Sequence, residues 1–295
     1  MNIESIEYLQ TKLGHLSYIA DRGLSTSIYL ALKLHRPLFL EGEAGVGKTE
    51  VAKALASLLE TELIRLQCYE GLDIHHSVYE WNYTRQMLHI RLLESQGKQA
   101  KETELFGRDF LLSRPLLQAI ESTAKNPPVL LIDEIDRSDE EFEAFLLEVL
   151  SEFQITIPEI GTIKAARPPV VIITSNRTRE VHDALKRRCL YFWIDYPSFE
   201  KELAIVSAKV PHAPAQLSKQ ITRFVQELRH EDLYKLPGVS ETLDWAEALT
   251  ALDQQVLKTE IVENTLGVIL KYEDDIMLIR EQHLASIMDK VIELA

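Results

Sequence analysis

The segment that decides the fold is rich in glycine and reads Gly42-Glu43-Ala44-Gly45-Val46-Gly47-Lys48-Thr49, followed by Glu50. It comes after the short apolar run 38–40 and opens a helix-favouring run. This strand-to-helix context and the spacing G-x-x-x-x-G-K-T are typical of a loop whose backbone N–H groups and helix N-terminus hold phosphate oxygens. We therefore predict that residues 42–50 bind ATP. Lys48 is expected to reach the β and γ phosphates, and the Thr49 hydroxyl is expected to coordinate Mg²⁺.

Two adjacent carboxylates, Asp133 and Glu134, follow the apolar run 129–132. Ligands bind at the carboxyl ends of strands in α/β sheets, so this position is suited to nucleotide chemistry. We predict that Asp133 holds Mg²⁺ together with Thr49 and that Glu134 polarises the attacking water. The alternative is a solvated pair that caps a helix N-terminus.

Three further polar residues are catalytic candidates. Asn176 follows the apolar run 170–173 and could sense the γ phosphate and orient water, although such an asparagine could instead form a turn. Arg187 and Arg188 end a predicted helix, where one could reach the nucleotide of a neighbouring subunit as an arginine finger. They could also complement the helix C-terminus, and the sequence leaves open which of the two is the finger.

The wider pattern predicts an α/β domain followed by a helical one. Short apolar runs alternate with helical patterns at residues 38–40, 63–68, 129–132, 170–173 and 190–194. Such alternation indicates a parallel sheet. After Pro197, apolar residues recur only at helical spacing. We predict a nucleotide-binding α/β domain over residues 1–197 and an all-α lid domain over residues 198–295.

Two segments exceed what a minimal sheet needs. Residues 71–114 separate the second and third strands by more chain than one crossover requires, so they are predicted to be an insertion. Residues 154–164 alternate apolar and polar side chains around a Pro-Glu-Ile-Gly centre at 158–161, which predicts a projecting β-hairpin.

Composition bounds the possible partners and location. The 295 residues carry 32 Lys and Arg against 46 Asp and Glu, a formal charge of −14, so nucleic acid is disfavoured as a partner. The first ten residues do not resemble a signal peptide, and no uncharged apolar run approaches the ~20 residues of a membrane span. We expect a cytoplasmic protein that does not enter the membrane. The distant Cys68 and Cys189 are expected to be buried thiols.

Taken together, these segments resemble the MoxR family of AAA+ ATPases over essentially the whole chain. The matching pieces are residues 41–52, 65–73, 130–137, 157–163, 173–176 and 185–197. Within them, residues 67–71 and 187–197 are similar to the CoxD-like branch, whose namesake assists the maturation of a metalloenzyme.

The resemblance implies the strand order 5-1-4-3-2, with residues 71–114 as a helix-2 insertion, 154–164 as a pre-sensor-1 hairpin, and a helical lid. It also implies a homo-oligomer, usually a hexameric ring, that acts as a chaperone beside a partner with a von Willebrand factor A domain and a metalloenzyme client. One departure concerns the lid. Relatives commonly carry Ser-x-Arg where this chain reads Ser240-Glu241-Thr242, which puts a sensor-2 arginine at this place in doubt.

Three functions compete at this point. The leading hypothesis is an ATP-driven remodelling chaperone for metalloenzyme maturation or cofactor insertion. The alternative is a nucleic-acid-dependent motor or restriction-type translocase, because related ATPases with a helix-2 insertion include such proteins. A small-molecule kinase with a phosphate loop is the third, but the hairpin, the insertion and the two arginines have no purpose there.

Overall fold

The computed structural model describes residues 3–293, and of residues 74, 75, 102, 103 and 293 it describes only the backbone. The strands are β1 (Leu38–Gly42), β2 (Leu63–Gln67), β3 (Tyr79–Trp81), β4 (Leu111–Ser113), β5 (Val129–Asp133), β6 (Gln154–Ile157), β7 (Gly161–Lys164), β8 (Val170–Ser175) and β9 (Leu190–Ile194). The helices up to β9 are α1 (Ile6–His15), α2 (Arg22–Leu34), α3 (Lys48–Leu58), α4 (Ile74–Ser77), α5 (Tyr83–Ser95), α6 (Glu102–Leu105), α7 (Pro115–Glu121), α8 (Glu140–Glu152) and α9 (Asp183–Arg188). Those after β9 are α10 (Phe199–Lys209), α11 (Ala215–Leu228), α12 (Val239–Ala251), α13 (Thr259–Ile269), α14 (Glu273–Leu278) and α15 (Leu284–Glu293).

The central sheet has the order β9-β1-β8-β5-β2. Strand β8 pairs in parallel with β1 and with β5, and β5 pairs in parallel with β2. Both β1 and β5 are buried along their whole length, including Glu41 and Asp133 at their carboxyl ends, and the apolar residues before these ends are expected inside a parallel sheet. With only these five strands counted, the order is 5-1-4-3-2, so the predicted α/β fold and strand order are confirmed.

The predicted hairpin is formed by β6 and β7, which pair in antiparallel register with Ile155 opposite Ile163 and Ile157 opposite Gly161. Ile155 and Ile157 are buried in the core beneath the sheet, whereas the Thr156 and Thr162 hydroxyls meet 3.0 Å apart on the exposed face. The alternation therefore fixes which face of the hairpin is anchored.

The insertion over residues 71–114 contains α4, α5, α6 and a small antiparallel ribbon of β3 and β4. Trp81 serves packing, since it is buried with its ring edge-on to Phe106 at a centroid distance of 5.2 Å. Tyr83, by contrast, is exposed at the start of α5. The ribbon itself was not predicted, because strands of three residues carry too little periodicity.

Contacts divide the chain into two compact units. The first comprises Met1–Leu9, Arg22–Glu41 and Thr49–Trp193, and it holds most of the central sheet with the insertion and the hairpin. The second comprises Gln10–Asp21, Gly42–Lys48 and Ile194–Ala295, and it joins the phosphate loop to α10–α15. Its helical core centres on Trp245, which packs on Phe224 and donates from Nε1 to Thr265 Oγ1 at 2.9 Å. The predicted domain boundary at residue 197 stays a prediction.

The two cysteines are free, buried thiols, as predicted. Burial raises the pKa of both Cys68 and Cys189 to about 12, so they remain protonated at neutral pH. Within residues 3–293, no helix is long and apolar enough to cross a membrane.

Candidate functional site

The phosphate loop is closed around its own lysine. Lys48 is buried, and its Nζ donates to the backbone oxygens of Gly42 at 2.8 Å and Glu43 at 2.6 Å. Gly42 is required because a Cβ there would collide with the backbone oxygen of Ile194 at the end of β9. The ammonium is thus held inside the loop that the motif predicts will bind phosphate.

Asp133 sits in the first unit at the end of β5 and brings several side chains together. Its carboxylate, 3% exposed, accepts from Thr49 Oγ1 at 3.0 Å and from Thr174 Oγ1 at 2.6 Å. The predicted metal ligands Thr49 and Asp133 are therefore neighbours. Arg65, from β2, adds a guanidinium that donates to Asp133 Oδ2 through Nε at 2.9 Å and Nη2 at 2.6 Å.

The chemistry of this pair suits magnesium. A carboxylate and a hydroxyl offer hard oxygen ligands, and Mg²⁺ commonly binds through one or two carboxylates while phosphates and waters complete its shell. Among the described residues, no group of three or more His, Cys, Asp or Glu could hold a metal, so an all-protein cage is not offered. The residues fit a metal that arrives with a nucleotide. Because Arg65 already donates to Asp133, the metal must share the carboxylate with the guanidinium or displace it.

Glu134 is held by amide side chains. Gln67 Nε2 donates to Glu134 Oε2 at 3.0 Å, and Asn176 Nδ2 donates to Oε1 at 3.4 Å. The backbone of Glu134 is left-handed, with φ 56°, a conformation that non-glycine residues keep chiefly where surrounding structure imposes it, often at functional sites. In the described structure its side chain makes no capping bond to the 3-10 helix that follows. The capping alternative for Glu134 is thus not supported.

Asp136 positions the segment that carries Asn176. Its buried carboxylate accepts from the backbone N–H of Asn176 at 3.2 Å, the N–H of Thr178 at 2.9 Å and the Thr178 hydroxyl at 2.7 Å. Burial works to raise the pKa of Asp136, but these hydrogen bonds outweigh it and lower the pKa below its ordinary value. The carboxylate therefore stays ionised and fixes the β8 end beside Glu134.

Arg187 and Arg188 are both exposed at the end of α9. Arg188 Nη1 donates to the Leu147 backbone oxygen of α8 at 3.2 Å. The carbonyls that end α9 are served by Arg36, which donates to the oxygens of Arg187 at 3.0 Å and Arg188 at 3.2 Å. Because Arg36 caps the C-terminus of α9, Arg187 and Arg188 are not needed for capping it. Their action in trans stays a prediction.

Four contributors to this site were missed by sequence reasoning: Arg65, Gln67, Asp136 and Thr174. Arg65 and Gln67 are alternate polar positions on β2, and the register that sets Gln67 opposite Asp133 explains their reach. The sequence signal that could have identified them is the presence of two polar residues in β2, whose other residues are apolar. Asp136 follows Asp133 by three residues, but its partners lie after a different strand and leave no local pattern.

In the C-terminal helices, a threonine occupies the position at which the resemblance would place a sensor-2 arginine. Thr242 is buried and donates to Glu202 Oε1 at 2.7 Å. The nearby Arg229 is also buried, with Nη1 and Nη2 each 2.7 Å from the fully buried carboxylate of Glu202. Thr242 thus supplies no cation, and Arg229 is committed within the helical part of the second unit.

A P-loop ATPase of the AAA+ type is defined by three features: a glycine-rich loop around a buried lysine, a 5-1-4-3-2 parallel sheet, and a carboxylate pair at the end of strand β5. The AAA domain family, dynein-related subfamily, matches residues 37–189, just over half of the chain. The chain belongs to this family.

Known proteins with measurable similarity agree at the level of fold. An uncharacterized protein of Staphylococcus epidermidis is 23% identical over 203 residues, covering 67% of this chain and 70% of the relative. One from Staphylococcus aureus is 24% identical over 202 residues, covering 66% and 69%. Two mutant structures of Thermotoga maritima RuvB align with TM-scores of 0.51 and 0.50, each at 17% identity, covering 96% and 97% of this chain and 85% and 82% of RuvB.

Proposed function

We propose that this AAA+ ATPase is a chaperone of the MoxR type that remodels a protein client, in metalloenzyme maturation or cofactor insertion. The observation that carries the proposal is an apolar stripe on α5 of the insertion. Its members are 55–63% exposed and are Tyr83, Met87, Leu88 and Leu92. Tyr83 with Met87, and Leu88 with Leu92, are i, i+4 neighbours, so the stripe consists of two adjacent pairs that together cover about half of the helix circumference.

An exposed apolar stripe points to a protein partner. Contiguous apolar surface on a soluble protein marks a place where another macromolecule binds, whereas nucleic-acid backbones are bound by clustered basic groups. The formal charge of −14 adds to the argument against a polyanion. The exposed face of the β6–β7 hairpin is proposed to share this task, since neither segment supplies a residue to the nucleotide chemistry.

The assembly and partners belong to the same proposal. Exposed Arg187 and Arg188 at the end of α9 support a homo-oligomeric, hexameric ring in which arginines act on the neighbouring nucleotide. The resemblance to MoxR proteins supports a von Willebrand factor A domain partner and a metalloenzyme client. Mg²⁺ is proposed to bind at Thr49 and Asp133 with ATP, and a cytoplasmic location is part of the same proposal.

A nucleic-acid-dependent motor or restriction-type translocase is the second candidate. The likeness to RuvB lies at 17% identity, which supports the fold and not the substrate. The two functions differ in what stimulates turnover, so one experiment separates them.

Leu88→Ser combined with Leu92→Ser should remove client binding while leaving basal ATP turnover unchanged, because both side chains are exposed and distant in sequence from the nucleotide motifs. The double variant is preferred to shortening the hairpin, since Ile155 and Ile157 are buried and their loss would damage the core. Leu34→Ser, at a leucine 55% exposed on α2, is the matched control.

The measurement is phosphate release with and without the client captured from native extract on Glu134→Gln protein, and with duplex DNA. We expect the client to stimulate wild type and Leu34→Ser but not the double variant. Stimulation by duplex DNA would overturn the chaperone assignment in favour of the motor. Full stimulation of the double variant by the client would overturn the assignment of α5 as the client surface.

A further inference from the structure

The start of α12 is in direct contact with the phosphate loop. The helix and residues 42–48 of the loop belong to the second unit. The Ser240 backbone N–H donates to the Gly45 oxygen at 3.1 Å. A Cβ on Gly238 would lie 2.7 Å from the Ala44 oxygen and 2.9 Å from Gly45 Cα. A Cβ on Gly45, whose φ is 76°, would in turn meet Ser240 and Glu241. Two glycines back to back thus allow a helix N-terminus and the loop to touch through main-chain atoms.

This contact is backed by a buried network. Glu202, from α10, accepts from Arg229, from Gln226 Nε2 at 2.6 Å and from the Thr242 hydroxyl at 2.7 Å. Arg229 then donates from Nε to the Pro237 backbone oxygen at 2.8 Å, and its guanidinium lies 4.7 Å from the centre of the Tyr196 ring. The residue before Gly238 is thereby tied to the helical core. A buried network whose hydrogen bonds are all satisfied is rigid. The start of α12, which contacts the phosphate loop, is therefore held in a fixed position.

A negative charge accompanies the contact. Glu241 Oε2 accepts from the Gly238 N–H at 3.0 Å and from the Ser240 hydroxyl at 2.9 Å, and it lies 3.0 Å from the position of a Cβ on Gly45. The carboxylate satisfies an N–H at the start of α12, which is the N3 half of a capping box. It also places an anion beside a loop that is predicted to bind anions, and so opposes phosphate binding there.

We propose that Gly238 and Glu241 are positioning residues of the phosphate loop: Gly238 fixes its shape by close approach, and Glu241 weakens its hold on phosphates. The inference rests on the proposed nucleotide function. In this chain α12 therefore acts on the phosphate loop through main-chain contact and the Glu241 carboxylate, and not through an arginine at position 242. A weakened hold would favour release of the product diphosphate and so permit turnover.

Gly238→Ala tests the contact. The backbone at Gly238, with φ −80° and ψ −178°, is one that alanine adopts readily, so the added methyl acts only through the atoms it meets. We expect ADP and ATP-analogue affinity to fall by about tenfold or more because the loop must shift. Gly267→Ala in α13 is the control, since a Cβ there meets nothing within 4 Å, and it should bind nucleotide like wild type.

Glu241→Gln tests the charge and should act in the opposite direction. It keeps a side-chain oxygen for the Gly238 N–H but removes the anion, so ADP affinity should rise by about threefold at low ionic strength. The gain should shrink as NaCl is raised, because salt screens a charge effect and does not screen a packing defect. Fluorescent-ADP titrations at two salt concentrations measure both quantities, with thermal unfolding as the check on folding.

Tighter binding in Glu241→Gln together with weaker binding in Gly238→Ala supports the proposal. Unchanged affinity in both folded variants overturns it, and weaker binding in both overturns the role of the charge. If Gly238→Ala does not fold, the sign and salt dependence of Glu241→Gln still decide. Wild-type protein that binds no nucleotide is a separate result, which removes the proposed nucleotide function and this inference with it.

Discussion

Glu134→Gln should slow ATP hydrolysis by at least about 100-fold, the lower end of what a positioned general base contributes, while ATP affinity stays close to that of wild type. The amide has the shape of the carboxylate but cannot accept a proton from water. Gln67 and Asn176 hold the native side chain at 3.0 and 3.4 Å, so the replacement remains between the same neighbours. Binding without turnover is the expected result because only the transition state needs the charge.

The measurement pairs a fluorescent ATP-analogue titration with a phosphate-release assay on the same preparation. Glu140→Gln is the matched control, since it makes the same change at an exposed glutamate in the first turn of α8. It should hydrolyse ATP like wild type. Hydrolysis by Glu134→Gln at the wild-type rate would show that another group orients the water.

Arg187→Ala should lower hydrolysis by roughly 10³-fold or more, which is the effect of removing an arginine finger. Mixing with Lys48→Ala subunits, which are inactive by themselves, should restore activity. Arg188 is bound to the Leu147 oxygen of its own α8, so we assign the larger effect to Arg187. Lys48→Ala subunits lack phosphate binding but carry intact arginines. In mixed rings they present Arg187 to the intact nucleotide sites of Arg187→Ala subunits.

The test is phosphate release by each variant alone and by verified mixed assemblies over a range of protein concentrations. Activity of the mixture, rising with concentration as rings form, is expected. Arg280→Ala, at another exposed arginine, should be active alone and serves as the control. Mixed rings that stay inactive would contradict action in trans.

The sequence sufficed for features that are local in the chain. The phosphate loop, the Asp133–Glu134 pair and the hairpin each occupy a short segment whose spacing carries its own physical meaning. The strand order came from the resemblance, and the described pairings agree with it. Where a feature is contiguous in the chain, residue types and spacing are enough to predict its local structure, while the chemistry assigned to it stays a prediction.

Features that depend on register or on distant approach could not be predicted in this way. Arg65 and Gln67 matter because β2 lies beside β5 in one register, and a shift of one residue would turn both side chains to the other face. Gly238 was not singled out in the sequence, yet it precedes α12 and lies against Ala44 and Gly45, far earlier in the chain. No periodicity records such a contact, because its cause lies in packing between separate segments.

We predict that this chain hydrolyses ATP with Mg²⁺ and that the phosphate loop and the Asp133–Glu134 pair carry the reaction. Its most direct test is steady-state phosphate release from ATP by purified wild-type protein with Mg²⁺, with the metal removed by EDTA, and by Lys48→Ala with Mg²⁺. We predict release that requires Mg²⁺ and is lost in Lys48→Ala, because Lys48 Nζ sits inside the loop within 2.8 Å of two of its carbonyls. Equal release by Lys48→Ala, or release unaffected by EDTA, would contradict the account.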